Sequence, residues 1–229
     1  GAYEFDATLK LVPKDYATIQ EAIDAAVGGD TILIGPGTYV ENKIDNGGKW
    51  LTIKSTDGAE STIIQGDGMN TGLTIKPITG STEDVFTIEG IQFTNHRQAV
   101  YAQGSFTTVT VLDCIFYQNR STEHVSGYAI RSDSNMTIRN CQFIENGNIG
   151  SKGGQGGAIN GFGNWNGYPV IDNSIFIGNV VAGAGGAIAY CGPVTNCTFV
   201  GNRALEEGPD ITAISGLIEN CIFWDMQAP

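Results

Sequence analysis

The stretch Asn140-Cys141-Gln142-Phe143-Ile144-Glu145-Asn146 has relatives along the whole second half of the chain. They begin G-I-Q-F at 90–93, D-C-I-F at 113–116, N-S-I-F at 173–176, N-C-T-F at 196–199 and N-C-I-F at 220–223. The successive Phe residues are 23, 27, 33, 23 and 24 positions apart. Four of them are followed three residues later by an asparagine: Asn119, Asn146, Asn179 and Asn202. A second motif trails the first, as Y-A-I at 128–130 and G-G-A-I at 156–159 and 185–188. Self-similarity at this period marks a stacked repeat, each unit burying its apolar face against the next.

Each repeat reads as three short strands. Around 109–112, 136–139, 169–172, 193–195 and 216–219 apolar residues alternate, placing Val111, Ile138, Ile171, Val194 and Ile218 on one face. Two residues later stands Asp113, Asn140, Asn173, Asn196 or Asn220, with Gly90 in the first repeat. These residue types best tolerate a left-handed backbone, so a sharp bend belongs there. The Cys and Phe of the next strand both point inward by period two, and a variable Gly-rich turn leads to the A-I strand. Three strands per coil with a constant bend describe an all-β fold, a right-handed parallel β-helix of about seven coils. Phe would stack on Phe and Cys on Cys, with coils about 4.8 Å apart.

The segment before the repeats fits an end cap. Thr18-Ile19-Gln20-Glu21 reads as a capping box, and Ile19, Ala22, Ile23 and Ala26 form one apolar stripe ending at Gly28-Gly29. A capping helix is expected over about 16–27 within a cap of residues 1–29, followed by coils over 30–224, all in a single domain. No comparable device follows Trp224. The last coil is therefore expected to be a fragment boundary or to meet a partner, with self-association through that coil as one outcome.

Composition narrows the function. Formal net charge is −12 with 12 Lys and Arg, which disfavours nucleic acid and anionic membranes as partners. No stretch is long and apolar enough for a bilayer span, so no membrane insertion is expected. Five Cys is an odd count, no Cys-x-x-Cys occurs and there are two His, so no zinc site is expected. Hydrophobic residues at 41% suffice for a continuous core, while 32 Gly against 7 Pro favour many tight turns.

The stretch A-T-I-Q-E-A-I-D-A-A-V-G-G-D-T-I-L-I-G-P-G-T-Y-V-E at 17–41 resembles the opening of pectin-lyase-like β-helix proteins. The N-C-x-F-x-x-N and G-G-A-I units are similar to repeats of bacterial surface β-helix proteins, including polymorphic outer-membrane proteins. The resemblance implies the fold and an extracellular setting, secreted or attached to the cell surface. For activity it implies less, because that superfamily holds lyases, hydrolases, esterases, epimerases and non-catalytic adhesins. The catalytic motifs of pectin methylesterases and polygalacturonases are not recognisable in the chain.

The resemblance directs attention to the third strand, which lines the substrate groove of such enzymes. If the Ile or Val of each A-I unit points inward, then Lys76, Tyr101, Arg131, Asn160 and Ala189 form an outward column. Lys76 and Arg131 would then lie two rungs apart, about 9–10 Å. Elimination from a polyuronate needs its carboxylate neutralised by Arg, Lys or Ca²⁺, and a base for the adjacent proton. Arg131 and Lys76 are the candidates for the first task, and Tyr101, Glu123 and His124 for the second. Asp133 could add one Ca²⁺ ligand, but no Asp/Glu grouping typical of a calcium site is evident. The insert N-G-F-G-N-W-N-G-Y-P at 160–169 follows the same strand. Its Phe162, Trp165 and Tyr168, with Asn160, suit stacking on sugar faces and binding hydroxyls, or else fold down onto their own coil.

Two further groups read as structural. Cys114, Cys141, Cys197 and Cys221 share an inward column broken by Ser174, and buried thiols are favoured there over disulfides because the Cβ vectors run parallel. Cys191 falls in a turn outside that column and could be exposed. Asn119, Asn146, Asn179 and Asn202 are expected to form a ladder satisfying turn backbone groups. The leading expectation is a secreted or cell-surface module, non-catalytic, contacting polysaccharide or a cell-surface glycan in the manner of an adhesin. A small polysaccharide lyase or epimerase acting on polyuronates is the alternative, and a structural spacer the third.

Overall fold

A computed structural model describes residues 8–77, 85–104, 108–123, 125–148, 150, 153–162 and 168–224. Every strand pair is parallel, and each strand pairs with strands one coil away. Three long sheets result, with a short fourth of Gly147–Asn148, Val180–Val181 and Arg203–Ala204. The first has nine strands, from Leu9–Val12 to Ile218–Glu219. The second has eight, from Gly37–Val40 to Ile222–Trp224, and the third has seven, from Ile44–Asp45 to Ile211–Ile214. The chain thus winds a β-helix of about eight turns. The extra rung beyond the expected seven comes largely from the N-terminal side. L-K-L-V at Leu9–Val12 lies inside the segment expected to be pure cap, yet its alternation lets it pair with Thr31–Ile34 across the helix.

The bends form where the residue types require. Gly90, Asp113, Asn140, Asn173, Asn196 and Asn220 all have positive φ, between 46° and 66°. On the outside of this corner the amides link coils, with Asn140 Nδ2 donating to Asp113 Oδ1 at 3.0 Å and Asn173 Nδ2 to Asn140 Oδ1 at 2.8 Å. The G-G-A-I motif also has a steric cause. Gly156 and Gly185 have φ of 66° and 73°, and a Cβ at Gly157 would fall 2.0 Å from the Gly186 carbonyl oxygen. Only glycine fits there.

The core is a set of columns. Phe93, Phe116, Phe143, Phe176, Phe199 and Phe223 pair in register and stack nearly parallel, with ring centroids 4.7–5.4 Å apart. Val111, Ile138, Ile171, Val194 and Ile218 form a second column. All five cysteines are free thiols. Cys191 departs from expectation. It ends the strand Ile188–Cys191 and is fully buried, because Tyr190 adopts φ 55° and breaks the alternation just before it.

The cap forms as a helix at Ile19–Ala25, shorter than the expected 16–27 because Ala26 is already extended. Thr18 Oγ1 accepts from Glu21 N at 3.1 Å, and Glu21 Oε2 accepts from Thr18 N at 3.2 Å. Ile19, Ala22 and Ile23 are buried over the first coil, where the helix touches the first strands of the first and third sheets. At the other end Ile222, Phe223 and Trp224 remain exposed.

Candidate functional site

The third sheet presents the face on which most of the candidate residues were expected. Its register places Asp45, Thr74, Tyr101, Arg131, Asn160, Ala189 and Thr212 in one row. Tyr101 and Arg131 are adjacent, as expected. Lys76 is not in the row. Leu73, and not Ile75, pairs with Val100, so Thr74 stands beside Tyr101 and Lys76 lies two residues further along its strand. There Lys76 forms an ion pair with Asp45. The expected separation of two rungs between Lys76 and Arg131 within one column therefore does not hold.

Around Arg131 the side chains are knitted together. Its guanidinium carbon lies 4.7 Å from the centroid of the Tyr101 ring, in cation–π contact. Its Nε is 3.7 Å from Asp133 Oδ1, and Tyr101 Oη donates to Asp133 Oδ2 at 2.9 Å. Burial, reinforced by the Asp133 carboxylate, raises the Tyr101 pKa above its usual value, so the phenol holds its proton. Asp133, the candidate Ca²⁺ ligand, accepts from Tyr101 and forms an ion pair with Arg131, while Arg131 Nε and Asp133 Oδ1 are buried without a hydrogen-bond partner among the described residues. No group of three His, Cys, Asp or Glu side chains placed to hold a metal ion occurs among the described residues.

The remaining candidates separate. Asn160 follows Arg131 in the row but is buried, its Nδ2 donating to the Gln155 carbonyl at 3.2 Å, while its Oδ1 has no partner among the described residues. Glu123 sits in the turn ahead of the third strand, where Arg97 Nη1 donates to its Oε2 at 3.0 Å. His124 and Trp165 lie outside the described residues. Phe162 and Tyr168 stand exposed at the rim, and Phe162 meets Tyr190 edge to face at 5.8 Å. Tyr190 is an aromatic member of this rim that the repeat pattern gave no reason to single out.

A family model described as right handed beta helix region matches residues 76–223, well over half of the chain. The chain belongs to this β-helix family. No curated protein matches it by sequence. Among solved structures it is similar to a pectin methylesterase from Aspergillus niger in a penultimately deglycosylated form, at 15% identity and TM-score 0.52, covering 99% of this chain and 88% of that one. The deglycosylated form of the same enzyme gives 16% identity and TM-score 0.48, with coverage of 93% and 87%. The PL6 family alginate lyase AlyGC gives 15% and 0.45, covering 89% of this β-helix chain but 38% of the lyase. At 15% identity the likeness with TM-score 0.52 bears on the fold alone. No helix among the described residues of this β-helix protein is long and apolar enough to cross a membrane.

Proposed function

We propose that this β-helix protein is a secreted or cell-surface module that contacts neutral carbohydrate through the outward face of its third sheet, without turning it over. The observation that carries the reading is the state of Arg131, which is held between the Tyr101 ring and Asp133. A uronate carboxylate that recruited Arg131 would lie beside Asp133, whose side chain is only 16% exposed, and the two like charges would oppose each other. Lys76 and Arg97 are likewise matched, by Asp45 and Glu123. Exposed Phe162 and Tyr168 beside this balanced surface suit the C–H face and hydroxyls of an uncharged sugar. Elimination chemistry is poorly served, since Tyr101 keeps its proton and Glu123 is engaged by Arg97.

Affinity electrophoresis against neutral polysaccharides (cellulose derivatives, xylan, mannan, starch) and acidic ones (polygalacturonate, alginate), with ultraviolet absorbance recorded in parallel, tests the reading. Retention on a neutral polymer, weakened by Phe162→Ala or Tyr168→Ala and without absorbance, is the expected result. Unsaturated ends released from a polyuronate would replace this reading with the lyase. Neither retention nor absorbance would leave the spacer.

A further inference from the structure

A second concave surface lies at a different corner of the coil, where the second strand turns toward the third. It is a groove of about 550 Å³ running from Gly68 past Arg120, Thr122, Glu145 and Asn148 to Gly178 and Val180. This size falls within the range of small-molecule sites, roughly 300–1,000 Å³. Its shape follows from one row of the repeat. The residue two positions after each of the first five stacked Phe has positive φ: Asn95, Gln118, Glu145, Gly178 and Gly201, at 56°, 52°, 53°, 60° and 59°. Gln118 Nε2 donates to Glu145 Oε2 at 2.8 Å, so side chains in this row reach from coil to coil. At Gly178 the row loses its side chain, and space opens beside the carboxylate of Glu145.

The groups around that space are only partly matched. Arg120 Nη2 lies 3.0 Å from Glu145 Oε2, and its Nε donates to the Glu145 carbonyl at 2.8 Å. Glu145 Oε1 accepts no hydrogen bond from the described residues, and Glu145 lines the groove. Asn148 Oδ1 accepts from Gly150 N at 2.7 Å, which fixes the amide, while its buried Nδ2 has no partner among the described residues. The groove therefore offers the Glu145 carboxylate and the exposed Arg120 guanidinium, with Thr122, over a floor of glycine and Val180.

We infer that this groove is a binding site for a short neutral oligosaccharide, independent of the third-sheet face. Charge decides the class. An anionic ligand meets Glu145, a cationic one meets Arg120, and the two already balance each other. A polyol donates to the Glu145 carboxylate, accepts from Arg120 Nη1, which makes no hydrogen bond to the described residues, and lays its C–H face on the apolar floor.

The test uses the whole chain and defined probes: cellotetraose, xylotetraose, mannotetraose and maltotetraose as neutral ligands, trigalacturonate as the anion and deacetylated chitotriose as the cation. Titration calorimetry and NMR shift perturbation report binding up to millimolar concentration. Gly178→Gln is the informative variant, because Gln118 already occupies this row at φ 52° and a Cβ at Gly178 would meet Glu145 Cγ at an ordinary 3.7 Å. The new amide would fill the groove and bind Glu145 Oε1 while the fold is retained, at a modestly lower melting temperature because φ 60° strains a side chain. At least one neutral tetrasaccharide should bind the parent, and Gly178→Gln and Glu145→Gln should each weaken it about tenfold or more, as expected for losing a hydrogen bond to a charged group. Phe162→Ala should leave this binding intact. Absence of binding by every neutral probe, or tighter binding of a charged one, overturns the proposal. So does a folded Gly178→Gln with parental affinity, and binding lost in Phe162→Ala alone would assign the ligand to the third-sheet face instead.

Discussion

His96 Nε2 lies 3.2 Å from the carbonyl oxygen of Ile64, the contact that an asparagine amide makes in each later coil. Asn119, Asn146, Asn179 and Asn202 donate from Nδ2 to the carbonyls of Phe93, Phe116, Phe143 and Phe176 at 2.9–3.1 Å. Ile64 pairs with Phe93, so His96 is the first rung of the same ladder. Its backbone N–H donates to Asn119 Oδ1 at 3.1 Å, which continues the pattern. With Nε2–H facing a carbonyl, Nδ1 carries the bare lone pair and is buried without a partner among the described residues.

This rung makes the fold acid-sensitive. Burial lowers the His96 pKa from 6.5 to about 4. Between those values the unfolded chain binds the proton that the folded chain refuses, so stability falls as pH drops from about 6.5 toward 4. The loss from this group should reach about 2 kcal/mol by pH 5. His96→Asn should remove that slope while preserving the ladder. Its stability at pH 7 should be lower, since Gly66 and Gly72 are shaped around the ring and a smaller amide leaves a void. Urea unfolding of both proteins at pH 7 and pH 5 checks this. Equal pH dependence in parent and variant would contradict the assignment.

The Phe column should respond according to position. Phe176 is fully buried between Phe143 and Phe199, at 4.7 and 4.8 Å, and Phe176→Ala should cost about 3–5 kcal/mol. Phe223 has one ring neighbour in the column and is 47% exposed, so Phe223→Ala should cost about 1–2 kcal/mol. Urea midpoints of the two variants give the comparison. Equal losses would mean that the terminal coil is as well packed as the interior.

Thiol chemistry offers an independent reading of the core. Cys114, Cys141, Cys191 and Cys197 are buried, and burial raises the Cys191 and Cys197 pKa values to about 12. The thiolate is the reactive form, so these should resist a disulfide reagent in the native state. Cys221 is partly exposed on the last coil. One thiol should therefore react quickly and the rest only on unfolding, and Cys221→Ser should abolish the fast phase. A second fast thiol, above all Cys191, would place that strand differently.

The second half of the chain was legible in sequence because its stacked positions use the same residue types. Asn at the bend, Phe inside and Asn three residues later each answer one physical demand, and all three recur. The first coils carry the same geometry with different residues. Ile64 replaces Phe and His96 replaces Asn, so the ladder's first rung was visible only as a position counted from Phe93. Lys76 was misplaced because Leu73 and Ile75 both point inward, and T-I-K matches the A-I pattern two residues too late. The groove had no local signal. It arises from a glycine and a glutamate 33 positions apart that only stacking makes neighbours.

The pairing of Arg131 with Asp133 leads to a last prediction, about charge on the third-sheet face. Asp133→Asn should leave Tyr101 a hydrogen-bond acceptor while freeing the Arg131 guanidinium of its counter-charge. The face would then carry an unbalanced cation that uronate carboxylates can meet. Retention on polygalacturonate should rise in Asp133→Asn, fall again on addition of salt, and vanish in the double variant Asp133→Asn with Arg131→Ala. Neutral polymers should be retained as by the parent, because ring stacking and hydroxyl contacts do not depend on that carboxylate's charge. Affinity electrophoresis at low and moderate ionic strength measures both. If Asp133→Asn leaves polygalacturonate retention unchanged, Asp133 is not what keeps Arg131 from acidic glycans, and the neutral-sugar reading of this face loses its principal support.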